Sequence, residues 1–264
     1  MLWVVIMHNV KAQPLDTFPL IKTFADSLSD FEVDNLGNFY LVGRQQQIKK
    51  ISSTFDSIGL FNDKRNLGKL YSIDVSNPLR VLLFYKDFAS IIILDRFLNV
   101  RTLLNLRNVQ IQQVSAITQS YDNNIWVYDE LDNNIKKIDE SGRVLLRSPD
   151  FRVLFDVPPQ PKYLQDLNRY LYAYDSSKGL LLMDYFGAYR NLIPYTGWQN
   201  IHGISKGIVA TDSAGLIYYQ PYELDIKKQT LPATILTSAV KIRVFNGQLI
   251  VLDKRGILMI YKLP

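Results

Sequence analysis

Six short hydrophobic runs punctuate the chain, each ending on a turn-forming or charged residue. They are Phe39-Tyr40-Leu41-Val42-Gly43, Leu82-Leu83-Phe84-Tyr85-Lys86-Asp87, Ile125-Trp126-Val127-Tyr128-Asp129, Leu171-Tyr172-Ala173-Tyr174-Asp175, Ile208-Val209-Ala210-Thr211-Asp212 and Leu249-Ile250-Val251-Leu252-Asp253. From Gly43 through Asp87, Asp129, Asp175, Asp212 and Asp253 the steps are 44, 42, 46, 37 and 41 residues. Between the runs, turn formers return about every five to ten positions, too often for a long helix and in keeping with short strands joined by tight turns. A strand-only repeat of about 40 residues is the spacing of four-stranded blades set around an axis.

The third repeat shows the unit best. Val114 to Thr118 reads as a first strand and Tyr121-Asp122-Asn123-Asn124 as a turn, with Ile125 to Tyr128 as the second strand. Asp129 to Asn134 turns the chain into Ile135-Lys136-Lys137-Ile138, and Ser141-Gly142 leads into a fourth strand at Val144-Leu145-Leu146. Asn, Asp and Gly fill the turns because they tolerate positive φ and bond nearby backbone. The last repeat has Val240 to Phe245, the hairpin turn Asn246-Gly247, Leu249 to Leu252 and Ile257 to Tyr261, one strand short of four. A strand-like segment, Pro19 to Phe24, precedes the first repeat and can supply the missing strand, which removes a bare sheet edge. The expected fold is all-β: a six-bladed β-propeller whose N-terminal strand closes the last blade.

The layout Phe31 to Val42, with Asp34-Asn35-Leu36-Gly37 between two strands, resembles the NHL-type repeat and its Asp-x-x-Gly turn. Ile125 to Asp129, followed by Ile135 to Asp139 and Ser141-Gly142, resembles the rest of that repeat. The resemblance covers repeats one and three and fades elsewhere, where Lys206-Gly207 or Asn246-Gly247 stands in the turn. It implies an NHL-like propeller and names no function, since that architecture hosts scaffolds, receptors, lactonases and lyases alike.

The chain of 264 residues is long enough for one such domain. Aromatic residues at 12%, with 16 Tyr and 13 Phe, suit pleated, half-buried surfaces. Lys+Arg of 30 against Asp+Glu of 25 leaves +5. The densest basic clusters are pairs such as Lys49-Lys50, Lys136-Lys137 and Lys227-Lys228, which argues against a nucleic-acid partner. There is no cysteine, so thiol chemistry, disulfides and Cys-based zinc sites are excluded. At the N-terminus the apolar run Leu2 to Met7 ends in Val10-Lys11-Ala12-Gln13. This resembles the end of a bacterial secretory signal peptide of the Bacteroidota style, without the basic residues that usually precede the run. Residues 1–12 are therefore expected to be a signal peptide and 13–264 a single propeller domain, periplasmic or attached to the cell envelope; the alternative is a cytoplasmic protein with an apolar first strand. No stretch approaches the roughly 18 apolar residues of a membrane helix.

Candidate chemistry is sparse. Of the two histidines, His8 falls in the leader and His202 lies on the inner strand expected for repeat five, where it and Asn200 could face the central channel. No glycine-rich phosphate loop occurs. Propeller lactonases hold a divalent cation with carboxylate and Asn ligands, and Asp34, Asp74, Asp166, Asn168 and Asn200 are the candidates by position. Each also reads as a turn cap, as do Asp129, Asp175, Asp212 and Asp253, which recur in register around the ring. No catalytic residue, metal set or cofactor is assigned. The tyrosines of Tyr170 to Tyr174 and of Tyr218-Tyr219 read as inter-blade packing. The stretch Gly187 to Trp198 concentrates Tyr189, Arg190, Tyr195 and Trp198 and is the candidate partner-binding patch. The expectation is a non-enzymatic binding or scaffold protein of the bacterial envelope that meets a protein partner through loops on one face. The alternative is a metal-dependent, lactonase-like hydrolase acting at the channel.

Overall fold

The computed structural model describes residues 18–24, 27–63, 65, 67–221 and 225–264. Residues 1–12, where the signal peptide is expected, lie outside them. The described strands form six four-stranded antiparallel sheets arranged in a ring. Blade one is β2 to β5 (Leu28–Val33, Phe39–Gly43, Ile48–Ile51, Ser57–Phe61), and blade two is β6 to β9 (Ser72–Asp74, Arg80–Tyr85, Ser90–Asp95, Val100–Asn105). Blade three is β10 to β13 (Val114–Gln119, Ile125–Asp129, Asn134–Ile138, Val144–Arg147). Blade four is β14 to β17 (Tyr163–Leu167, Tyr170–Asp175, Gly179–Asp184, Tyr189–Ile193) and blade five β18 to β21 (Gln199–Ile204, Gly207–Thr211, Gly215–Gln220, Asp225–Thr230). Blade six takes β22 to β24 (Ala239–Phe245, Gln248–Asp253, Leu258–Lys262) from the C-terminal end and β1 (Leu20–Phe24) from the N-terminal end.

β1 runs antiparallel to β24, with Leu20 opposite Tyr261 and Phe24 opposite Leu258. The expected closure is therefore what the molecule does, but its energetics are not those of a buried strand. Leu20 and Ile21 are 56% and 50% exposed, whereas Phe18, just before the strand, is 2% exposed. Phe18 packs into the core between blades five and six. Phe24 leans the other way, its ring 5.2 Å from Phe55 of blade one.

The second strand of each blade is covered on both faces, which explains its apolar run. In β7, the sequence Arg80–Tyr85 is buried throughout. Its odd positions Val81, Leu83 and Tyr85 join the core shared with blade one, while Leu82 and Phe84 join the core shared with blade three. Alternation along a strand thus feeds two junctions at once. Each of the six junctions has such a core. The tyrosines behave as expected: Tyr172, Tyr174 and Tyr219 are buried between blades four and five.

The Asp-x-x-Gly turn of blade one has a physical basis. Asp34, 2% exposed, accepts the N–H groups of Leu36 and Asn38 and the hydroxyl of Tyr40. Gly37 sits at φ +82°, and a Cβ there would meet the Phe245 ring of blade six at 3.0 Å. Two short helices, α1 (Phe151–Leu154) and α2 (Ala233–Ser238), occupy crossovers between blades. Among the described residues no helix is long and apolar enough to cross a membrane.

Candidate functional site: the channel and its crossover mouth

The first strand of each blade lines the central channel, and the period of two decides which side chains face it. On β2 these include Asp30 and Glu32; on β22, Lys241 and Arg243; on β18, Asn200 and His202. Arg243 grips Glu32 with two parallel bonds, Nε to Oε2 and Nη2 to Oε1, both 2.8 Å. Lys241 Nζ lies 2.7 Å from Asp30 Oδ1 and 2.6 Å from Glu32 Oε1. Burial pushes the Glu32 carboxyl up, but Arg243 and Lys241 together outweigh it and hold it down at about 2. The four charges bind blade six to blade one on the channel side.

His202 and Asn200 perform the matching task between blades five and six. The N–H of Val244 donates to His202 Nε2 at 3.0 Å, and His202 Nδ1 lies 2.8 Å from the carbonyl oxygen of Asn200. An amide N–H can only donate, so Nε2 is the acceptor and the ring proton is assigned to Nδ1. Enclosure in the channel, with Arg243 adding to it, lowers the His202 pKa to about 3. The imidazole is neutral, and both nitrogens are committed. Asn200 sits at φ +52°, at the irregularity in the pairing of β18 with β19. Its Oδ1 accepts the N–H of Ile242 at 3.1 Å and its Nδ2 donates to Thr211 Oγ1 at 2.9 Å. Both side chains therefore cap backbone donors of the neighbouring inner strand.

The carboxylates proposed by position serve similar ends. Asp74 Oδ2 of blade two accepts from Thr118 Oγ1 and the Gln119 N–H of blade three, both at 2.7 Å. Asp166 Oδ2 of blade four accepts from Ser120 Oγ, the Tyr121 N–H and the Trp126 indole N–H, again across to blade three. Burial raises the Asp166 pKa against those donors. Asn168 is in the β14–β15 turn at φ +53°. Asp129, Asp175, Asp212 and Asp253 each accept the N–H two residues on, as turn caps do. Among the described residues no three His, Asp or Glu side chains come together as a metal-binding group.

The antiparallel meander places the crossovers between blades and the turns after each second strand on one face. The turns after the first and third strands lie on the other. On the crossover face the channel opens into a cavity of about 670 Å³, lined by Asp30, Arg44, Lys69, Tyr71, Val240 and Lys241 among others. Tyr71 is 45% exposed, and the Lys86 ammonium lies 5.4 Å from its ring centre.

The four residues of the candidate partner patch are not gathered on one surface. Tyr189 and Arg190 begin β17, the outer strand of blade four, whereas Tyr195 and Trp198 lie beyond its other end. The Tyr189 ring stands edge-on to Phe155 at 5.1 Å, and Arg190 pairs with Asp184. Trp198 is 6% exposed, stacked between Tyr174 and Tyr195 with ring centres 6.0 and 5.4 Å away. Arg190 and Tyr195 present side chains to solvent; Trp198 belongs to the core. Sequence reasoning did not single out Glu32, Lys241 and Arg243. The signal was present as Asp30-x-Glu32 and Lys241-x-Arg243, opposite charges at alternate positions on two inner strands that ring closure makes neighbours.

No protein-family model matches the chain, and no curated protein matches its sequence. Solved structures do match. The WD40 domain of Neurospora crassa Pan2 superposes with a TM-score of 0.62 at 12% identity, covering 91% of this chain and 90% of that one. A catalytically inactive virginiamycin B lyase from Staphylococcus aureus, solved with quinupristin, gives 0.61 at 12%, covering 94% and 98%. BBS1N in complex with ARL6DN gives 0.59 at 9%, covering 94% and 97%. At such identities the likeness is one of fold, and it spans a WD40 domain, a domain solved in a complex and an enzyme alike.

Proposed function

We propose that the protein is a non-enzymatic binding scaffold of the bacterial cell envelope that holds a protein partner on its crossover face. The observation that carries this reading is the state of His202. A neutral imidazole with an N–H donor on one nitrogen and a carbonyl on the other has no lone pair or proton to offer a substrate. The channel carboxylates are likewise committed to neighbouring blades, so the polar groups of the channel serve closure. The crossover face, by contrast, offers an open recess beside exposed Tyr71 and Val240. BBS1N, a propeller of similar fold, is solved with a protein bound.

The test is cross-linking mass spectrometry of the complex captured from native cells with an amine-reactive reagent. Cross-links to the partner are expected at crossover-face lysines, among them Lys69, Lys86 and Lys254. Cross-links confined to Lys206 on the opposite face would refute the reading.

A further inference from the structure

The charges of the crossover face are unevenly placed. Around blades three and four, cations sit beside carboxylates: Lys136 with Asp129 and Asp132, Arg152 with Asp150, Lys162 with Glu130. Around the channel mouth, at blades one, two and six, the balance reverses. Arg44 and Lys69 line the mouth, are exposed and, among the described residues, make no ion pair. Arg44 reaches toward blade six, its Nη2 3.4 Å from the carbonyl oxygen of Arg255. Lys241, 16% exposed in its side chain, forms part of the cavity wall. Its charge and that of Arg243 are met by Asp30 and Glu32, so the excess in the cavity wall comes from Arg44 and Lys69.

We infer that this basic recess receives a carboxylate-rich, extended segment of the partner protein, with Arg44 and Lys69 pairing to its acidic side chains and Tyr71 and Val240 covering an apolar one. This rests on the scaffold reading and adds to it the place and the chemistry of contact. A volume of about 670 Å³ is of ligand-pocket size and suits a few side chains. A flat lipid surface cannot enter such a recess. A nucleic-acid backbone asks for a row of cations along its track, whereas these surround a mouth with the Asp30 carboxylate in its wall.

The probe is a fluorescein-labelled hexaglutamate peptide, titrated with the purified protein and followed by anisotropy at low and at physiological salt. Binding is expected, weakening as salt shortens the reach of the charges. The double variant Arg44→Glu, Lys69→Glu should bind roughly tenfold more weakly, in line with two rim contacts of modest individual strength. The neutral pair Arg44→Gln, Lys69→Gln should fall between. Arg143→Glu with Lys206→Glu alters net charge equally on the opposite face and should change affinity less than about twofold. The assignment fails if wild type does not bind the peptide, or if the two Glu pairs weaken it equally. It also fails if single-stranded oligonucleotide or phosphatidylserine vesicles bind more tightly than the peptide through the same two residues. A native partner cross-linked at the crossover face, yet captured equally by wild type and the Arg44→Glu, Lys69→Glu variant, would overturn this site and leave the scaffold reading standing. Cross-links confined to Lys206 would overturn both.

Discussion

Replacing Phe18 by alanine tests how the ring is held shut. Five of the blades are continuous in sequence, and blade six alone joins β1 to β24 without a covalent turn. The strand β1 itself is thinly covered, its residues exposed or half-buried. Its hold comes from the ladder to β24, the Lys262 N–H donating to the Pro19 carbonyl at 2.9 Å, and the two aromatic ends. Phe18 is 2% exposed among Val209, Leu216, Leu249 and other core residues. Truncating a buried Phe to Ala costs about 3–5 kcal/mol, the transfer loss plus the cavity left behind. For a chain of this size each kcal/mol shifts Tm by about 2–4 °C, so Phe18→Ala should melt roughly 6–20 °C lower. Leu20→Ala and Ile21→Ala, which uncover almost nothing, should stay within about 0.5 kcal/mol of wild type. Thermal melts and urea titrations of the three variants settle the matter. If Phe18→Ala melts with wild type, or if Leu20→Ala falls as far, the segment does not anchor closure through its aromatic end.

His202 makes stability pH-dependent. Its folded pKa of about 3 lies below the ordinary 6.5, so the unfolded chain takes up the proton first and stability falls as pH drops through 6.5. Between pH 7.5 and 5.5 the loss from this one group is about 1.4 kcal/mol, and His202→Gln should flatten that part of the urea-measured profile. Glu32, with its folded pKa held at about 2 against an ordinary 4.5, adds a further loss of stability below pH 4.5 in the same direction. Asp166→Ala should cost about 1–3 kcal/mol by stranding the Trp126 indole N–H, with Asp166→Asn milder because the amide oxygen still accepts; equal melts for the two would contradict the role of that bond. Protein purified from the envelope fraction should begin at Gln13 by N-terminal sequencing, and an intact Met1 on cytosolic protein would end the proposal of export.

The fold was legible because its signal repeats. Second strands buried on both faces read as unbroken apolar runs at a fixed spacing, and the turns between them carry the Asp, Asn and Gly that tight reversals need. Outer strands were less legible: β9, Val100–Asn105, has only Leu104 buried and so no apolar pattern to read. The helices α1 and α2 are four and six residues long inside crossovers, one capped by Asp150 and the other opening after Pro232, too short to impose a period. The apolar Leu20 and Ile21 are poor guides to burial in β1, since both lie half exposed on an outermost strand. Trp198 looked like a surface aromatic because its neighbours in sequence are loop residues. Its neighbours in space are Tyr174 of β15 and Tyr219 of β20, which sequence distance hides.

The closing junction also explains why charges were put where a reaction centre could have been. Between blades six and one the core packs Ile250, Leu252 and Leu258 against Leu28, Phe31 and Phe39. Such apolar contacts specify which side chains face the junction, since a slip of one residue turns each of them to the other face, and the charges add to that selection. The bidentate Arg243–Glu32 pair and the Lys241 bridge from Asp30 to Glu32 are satisfied in one register and broken in others. Breaking a buried pair leaves an uncompensated charge, a penalty of about 3–5 kcal/mol. Where the two ends of the chain must find each other, the channel side of the ring therefore carries a lock of complementary charge, while the opposite edge of the same blade is sewn by β1. A side chain placed in that lock is held by its charge partners, and this is why Glu32 and Arg243 read as structure although each belongs to a residue type that elsewhere does chemistry.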